Sequence, residues 1–161
     1  MIEPYSKILF VSWSLMSFLG CNIPNLDVPP ELILGTGDTK FEALLTDEEN
    51  DLGIQYGVQG GQHVWGAVRV IGIDWRELEL SFALVDEGDF NVTTPSTTIS
   101  RLKACPPSSD GCEKGMGEQV GFTIVLDDPN AAAGLSLELR GEASDDEGRS
   151  ASANVPITVH F

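Results

Sequence analysis

The chain is poor in the residues that chemistry most often uses. It has two histidines, three cysteines and nine basic residues in 161 positions. With only His63 and His160 to draw on, a catalytic triad or an imidazole metal cage has two places to start. His160 stands between Val159 and Phe161 at the end of an alternating apolar run, which turns its side chain to solvent. No G-x-S-x-G elbow occurs. GTGDT (Gly35–Thr39) lacks the Lys-Ser/Thr of a phosphate loop and opens no helix. Carboxylates abound, but they lie in turn runs, and none stands out as the partly buried acid that glycoside hydrolysis requires. The sequence therefore reads as non-enzymatic, because function has to be argued from a site and none is visible.

Basic residues are outnumbered 25 to 9, leaving a net charge of −16 and a pI near 4.2. So acidic a body repels nucleic acid and anionic lipid surfaces, and it suits a solvated surface, cations or a basic partner. Long apolar runs are missing too. The longest, Ile8 to Leu19, has 12 residues, against the ~20 a membrane-spanning helix needs. Beyond it no segment carries a helical period, and Asp127–Gly134 has room for a single helical turn.

Two-residue alternation fills the rest. After short candidates at ELIL (Glu31–Leu34) and KFEALL (Lys40–Leu45), His63–Ile71 reads as one strand. Leu78, Leu80, Phe82 and Leu84 then share a face. So do Val120, Phe122, Ile124 and Leu126; Leu135, Leu137 and Leu139; and Val155, Ile157, Val159 and Phe161. A further strand is expected near Thr97–Leu102. Apolar-polar alternation between Gly, Pro, Asp and Asn clusters means antiparallel strands with one face buried. The expected fold class is all-β, an antiparallel sandwich of about seven strands. The ending LSLELRGEASDDEGRSASANVPITVHF resembles the closing hairpin of bacterial immunoglobulin-like domains, which implies that fold for residues 32–161.

The short apolar run has the length of a signal-peptide core, with Lys7 before it. It ends in Phe18-Leu19-Gly20-Cys21, which resembles the lipobox of bacterial lipoproteins. The resemblance implies a signal peptide over residues 1–20, a diacylglyceryl group on Cys21 and an acylated new N-terminus. Two or three chains hold a protein on a bilayer stably. Asn22, where enteric sorting would place Asp for inner-membrane retention, points to the outer membrane. NIPNLDVPPE then reads as part of a Pro-containing tether, residues 21–31.

Export puts Cys105 and Cys112 in an oxidising compartment, and the tight loop CPPSSDGC between them reads as a disulfide. CEKGM (Cys112, Met116) is similar to a blue-copper ligand loop but lacks its histidine. Calcium remains the metal to weigh, since clustered loop carboxylates can supply its oxygens. The candidates are Asp145, Asp146 and Glu147, then Asp86, Glu87 and Asp89, and Asp127, Asp128 and Asn130; none has EF-hand spacing.

In QHVWGAVRV the valines share one face, and His63, Trp65 and Arg69 share the other. Trp and Arg are enriched at binding hot spots, so this row is a candidate partner-binding surface, unless the Leu32–Tyr56 segment covers it or a bulge turns Trp65 into the core. The sequence as a whole reads as an acylated envelope lipoprotein, a non-catalytic module for an envelope protein or glycan. The alternative is a calcium-dependent accessory domain or an enzyme built on the acidic loops.

Overall fold

The computed structural model describes residues 23–57, 61–86, 88, 92–93 and 96–161. The segment expected to be a signal peptide, Cys21, Asn22, Glu87 and Asp89 lie outside the described residues. The elements are β1 (Glu31–Thr36), β2 (Glu42–Ala43), β3 (Asn50–Gly53), β4 (Gln55–Tyr56), β5 (Gln62–Ile71), β6 (Leu78–Val85), β7 (Ser96–Ser100), β8 (Lys103–Ala104), β9 (Gly117–Val125), the helical turn α1 (Pro129–Ala132), β10 (Ser136–Asp145) and β11 (Ser150–His160). Seven of these strands have five residues or more; β5, β6, β9, β10 and β11 fall on alternating stretches, β1 extends the short candidate ELIL, and β7 lies slightly ahead of the expected Thr97–Leu102. The others have two to four residues, too short to leave a periodic trace. KFEALL shrinks to the two-residue β2. At α1, Asp128 caps the helical turn by accepting from Ala131 N–H.

Two sheets face each other. Sheet A runs β2-β1-β5-β9-β8, with β4 added beside β5; sheet B runs β3-β11-β10-β6-β7. Neighbours are antiparallel except β3, which pairs parallel with β11, a departure from the purely antiparallel expectation. Asn50 anchors that pair. Its side-chain amide donates to the carbonyls of Leu45, Glu48 and Pro156, and its side-chain oxygen accepts from Leu45 N–H.

One apolar core lies between the sheets. Leu32 and Leu34 of β1 and Val64, Val68 and Val70 of β5 meet Leu78–Leu84 of β6, Leu137 and Leu139 of β10, and Val155, Ile157 and Val159 of β11. Fully burying a side chain of this size contributes about 1.5–3 kcal/mol. The alternating positions end where the sandwich ends, so Leu135 and Phe161 stand 44% and 59% exposed.

β9 departs from simple alternation. Gly66 faces Phe122, but Val68 faces Gln119, so β9 carries one extra residue beside Ala67. Gly121 takes up the irregularity at φ 73°, a left-handed conformation that glycine adopts without strain. Phe122 packs on Phe82 of the opposite sheet, ring centroids 4.4 Å apart. Below the bulge the parity reverses. Val120, expected in the core, is only half-buried, and Glu118 turns to the outer side of sheet A.

Trp75 is the core's one buried tryptophan among the described residues. It precedes β6, and its indole N–H donates to Gly115 O at 2.8 Å. Gly117 lies so close that a Cβ there would stand 2.4 Å from Trp75 Cγ. Trp75→Ala should cost about 3–5 kcal/mol in chemical denaturation; a loss under about 1 kcal/mol would remove the residue from the core.

Candidate functional site

The His63–Trp65–Arg69 row does lie on the outer face of sheet A, but the row itself is largely covered, although Thr123 and Val125 of the same face are exposed. His63 is 7% and Arg69 4% exposed, while Trp65 is half-buried. The loop after β1 folds back over β5, so that the Phe41 ring lies 4.0 Å from the Arg69 guanidinium carbon and Gly37 O accepts from Gly121 N–H. The covering segment is the one the sequence offered as the row's alternative fate. The row is thus architecture and not an exposed binding face. His63 stacks edge-on against Trp65 at 4.6 Å, and its Nε2 is buried without a hydrogen-bond partner. Among the described residues no side chain hydrogen-bonds to either imidazole.

Arg69 is the hub of this covered row. Its Nε and Nη2 both lie 2.8 Å from Glu118 Oε2, and its Nη1 donates to Asp110 O at 2.6 Å. Asp110 belongs to the loop between Cys105 and Cys112, which stand at disulfide distance with Cα atoms 5.7 Å apart. Beneath that loop Cys105 and Met116 pack with Ile71, and Val28, Ile33 and Cys112 border them. Met116, the methionine of the copper-like loop, is therefore a 3% exposed packing residue. Cys105, Cys112 and Glu118 place three potential ligand atoms within 4.8 Å of one another. Their donors are spent, because the two sulfurs face each other and Arg69 holds the carboxylate.

Asp145, Asp146 and Glu147 occupy the β10–β11 turn as expected. Asp145 is no open cation ligand. Its side chain is fully buried and accepts from the N–H groups of Asp74, Glu147 and Arg149 and from Arg149 Nε. Gly148, at φ 80°, closes the turn in the left-handed conformation such hairpins need. Asp146 and Glu147 are exposed, and Glu147 accepts from Arg149. Burial pulls the Asp145 carboxyl upward, yet the backbone N–H groups of Asp74 and Arg149 and the Arg149 guanidinium outweigh it and hold it below the usual carboxylate range. The side-chain hydrogen bond from Arg76 leads in holding Asp74 down likewise.

The open surface lies on the other sheet. The outer side of sheet B carries a depression of about 550 Å³ lined by Glu79, Ser81, Glu142, Ser144, Ser150 and Ser152. A smaller hollow of about 200 Å³ beside it is bordered by Glu77, Glu79, Ile99, Ser144, Asp145 and Asp146. Strand register puts these residues together, since Ser81, Glu142 and Ser152 lie abreast, as do Ile99, Glu79, Ser144 and Ser150. As the polar members of the alternation, they carry no motif in the sequence. Their signal was the run of small hydroxyl residues at outward positions of three strands. Comparison with known proteins finds no matching family model, no similar curated protein and no similar solved structure.

A carboxyl held down in the folded state adds stability above its unfolded pKa, about 3.9 for Asp, and loses it as the pH falls through the lowered native value. Melting temperature should therefore drop steeply below about pH 4. Asp145→Asn should be less stable than the native protein by about 1–3 kcal/mol at neutral pH, the cost of leaving buried donors unsatisfied. It should also show a flatter acid limb in a melting series. An acid limb unchanged in the variant would show that Asp145 does not carry the dependence.

Proposed function

We propose that this protein is a lipid-anchored envelope protein whose sandwich is an immunoglobulin-like, non-catalytic binding or support module. The strand order supports the immunoglobulin-like part. In chain order the sheets read first-second-sixth-fifth against eighth-seventh-third-fourth when β1, β5, β6, β7, β8, β9, β10 and β11 are counted. That is the A-B-E-D and G-F-C-C′ arrangement of such domains.

The observation that carries the binding reading is an asymmetry between the two outer faces. On sheet A the Phe41 loop and the Cys105–Cys112 loop cover the surroundings of Arg69, whereas sheet B presents a hydroxyl- and carboxylate-lined depression. Its ligand is an envelope protein or a glycan, and acylated Cys21 supplies the bilayer contact, in the outer membrane given Asn22. No helix among the described residues is long and apolar enough to cross a membrane.

Pro24 is buried, Asn25 N–H donates to Gly115 O, and Asn25 O accepts from Gly72 N–H. The tether read at residues 21–31 therefore lies against the domain from Pro24 onward. Three residue steps from Cys21 to Pro24 span at most about 10 Å, so an anchored domain would stand against the headgroups with its disulfide-loop end down. The Cys21→Ala variant should leave the membrane fraction or persist as an unprocessed precursor. Mature protein still sedimenting with membranes would refute the anchor.

A further inference from the structure

Sheet edges present unpaired backbone groups, and proteins usually shorten, charge or cover them. Four edge strands here follow that rule: β2, β4 and β8 have two residues each, and β3 has four and carries Asp51. The fifth does not. β7 is five residues long with the sequence STTIS, without charge, proline or glycine. Among the described residues its one neighbour is β6. Ile99 points from it to the outer side and is 77% exposed, the highest value of any large apolar side chain among the described residues.

What surrounds Ile99 sets the chemistry of an incoming strand. Glu79 lies directly across from it, and Glu77 and Asp146 border the same hollow. No described group hydrogen-bonds to or pairs with the carboxylates of Glu77, Glu79 or Asp146. Glu142, likewise without a partner, continues this acidic lining across the sheet. A lysine or arginine on an added strand could lay its aliphatic stem over Ile99 and bring its charge to these carboxylates.

We infer that β7 is a docking edge for an extended, cationic segment of a partner protein, which adds as a further strand to sheet B. Charge also selects this occupant over a second copy of the chain, since two bodies of net charge −16 repel each other. The inference deepens the binding-module reading but is independent of the lipid anchor.

The test is a titration of the full chain with the peptide acetyl-Thr-Lys-Val-Lys-Val-Lys-Thr-amide, followed by backbone amide shifts and exchange. A control peptide has glutamate in place of each lysine. Shifts and slowed exchange should concentrate in Ser96–Ser100 with the lysine peptide and be absent with the control. Glu79→Gln and Glu77→Gln should each weaken binding by roughly 1.5- to 5-fold, as expected for a partly exposed ion pair. Ile99→Lys, at an exposed position that leaves the fold intact by circular dichroism, should abolish it. The inference fails if no binding occurs, if both peptides bind alike, if shifts spread over the acidic loops instead of β7, or if β7 amides become protected with protein concentration alone. Any of these with Cys21-dependent membrane association preserved would overturn the edge and leave the anchor standing.

Discussion

A buried positive charge fixes the outer side of sheet A. Taking a guanidinium out of water costs several kcal/mol unless an anion and further acceptors meet it. Arg69 is met by Glu118, by the carbonyl of Asp110 and by the Phe41 ring. Glu118 can reach it only because β9 holds one extra residue at Gly121. Without that bulge Glu118 would share the core-facing parity of Phe122 and Ile124, a carboxylate aimed at leucines. The extra residue reverses the phase and sets Glu118 directly across from Arg69. One left-handed glycine thus positions an ion pair that holds the disulfide loop and backs the loop carrying Phe41.

That cover in turn decides what the molecule can offer. The Phe41 ring and the Cys105–Cys112 loop lie against β5 at Arg69, so its buried histidine and arginine serve the fold. Sheet B carries no such cover among the described residues. Around its depression the outer positions are serines and glutamates, and β7 is the one long uncharged strand edge among the described residues. The acidity of the chain, which alone speaks only to solubility and repulsion, acquires a direction once Glu77, Glu79, Glu142 and Asp146 are found together on that side.

The long strands were legible because two-residue alternation is a direct record of one buried face. Leu78 to Leu84 and Val155 to Val159 lie where the pattern puts them, and Asp127–Gly134 does hold one helical turn. The pattern could not show what depends on pairing. Val120 leaves the core because a bulge is a property of two strands. β3 runs parallel to β11 because Asn50 finds Pro156, 106 positions away. Trp75 has no alternating neighbours to announce it. The site residues follow the same logic. Trp and Arg at outward positions of β5 suggested a binding surface, and a sequence does not record which loop folds back over them. Asp145 looked like a calcium ligand among its acidic neighbours, until Arg149 and the backbone of Asp74 claimed its oxygens.

Native-state hydrogen exchange, read strand by strand, tests the central claim that β5 is held under cover at Arg69 while sheet B has an open edge at β7. The slowest amides should lie in Gln62–Ile71, opening only with global unfolding, and the fastest strand amides in Ser96–Ser100. Exchange in β5 as rapid as in β7, or protection of β7 equal to that of β5 in the isolated protein, would contradict the account.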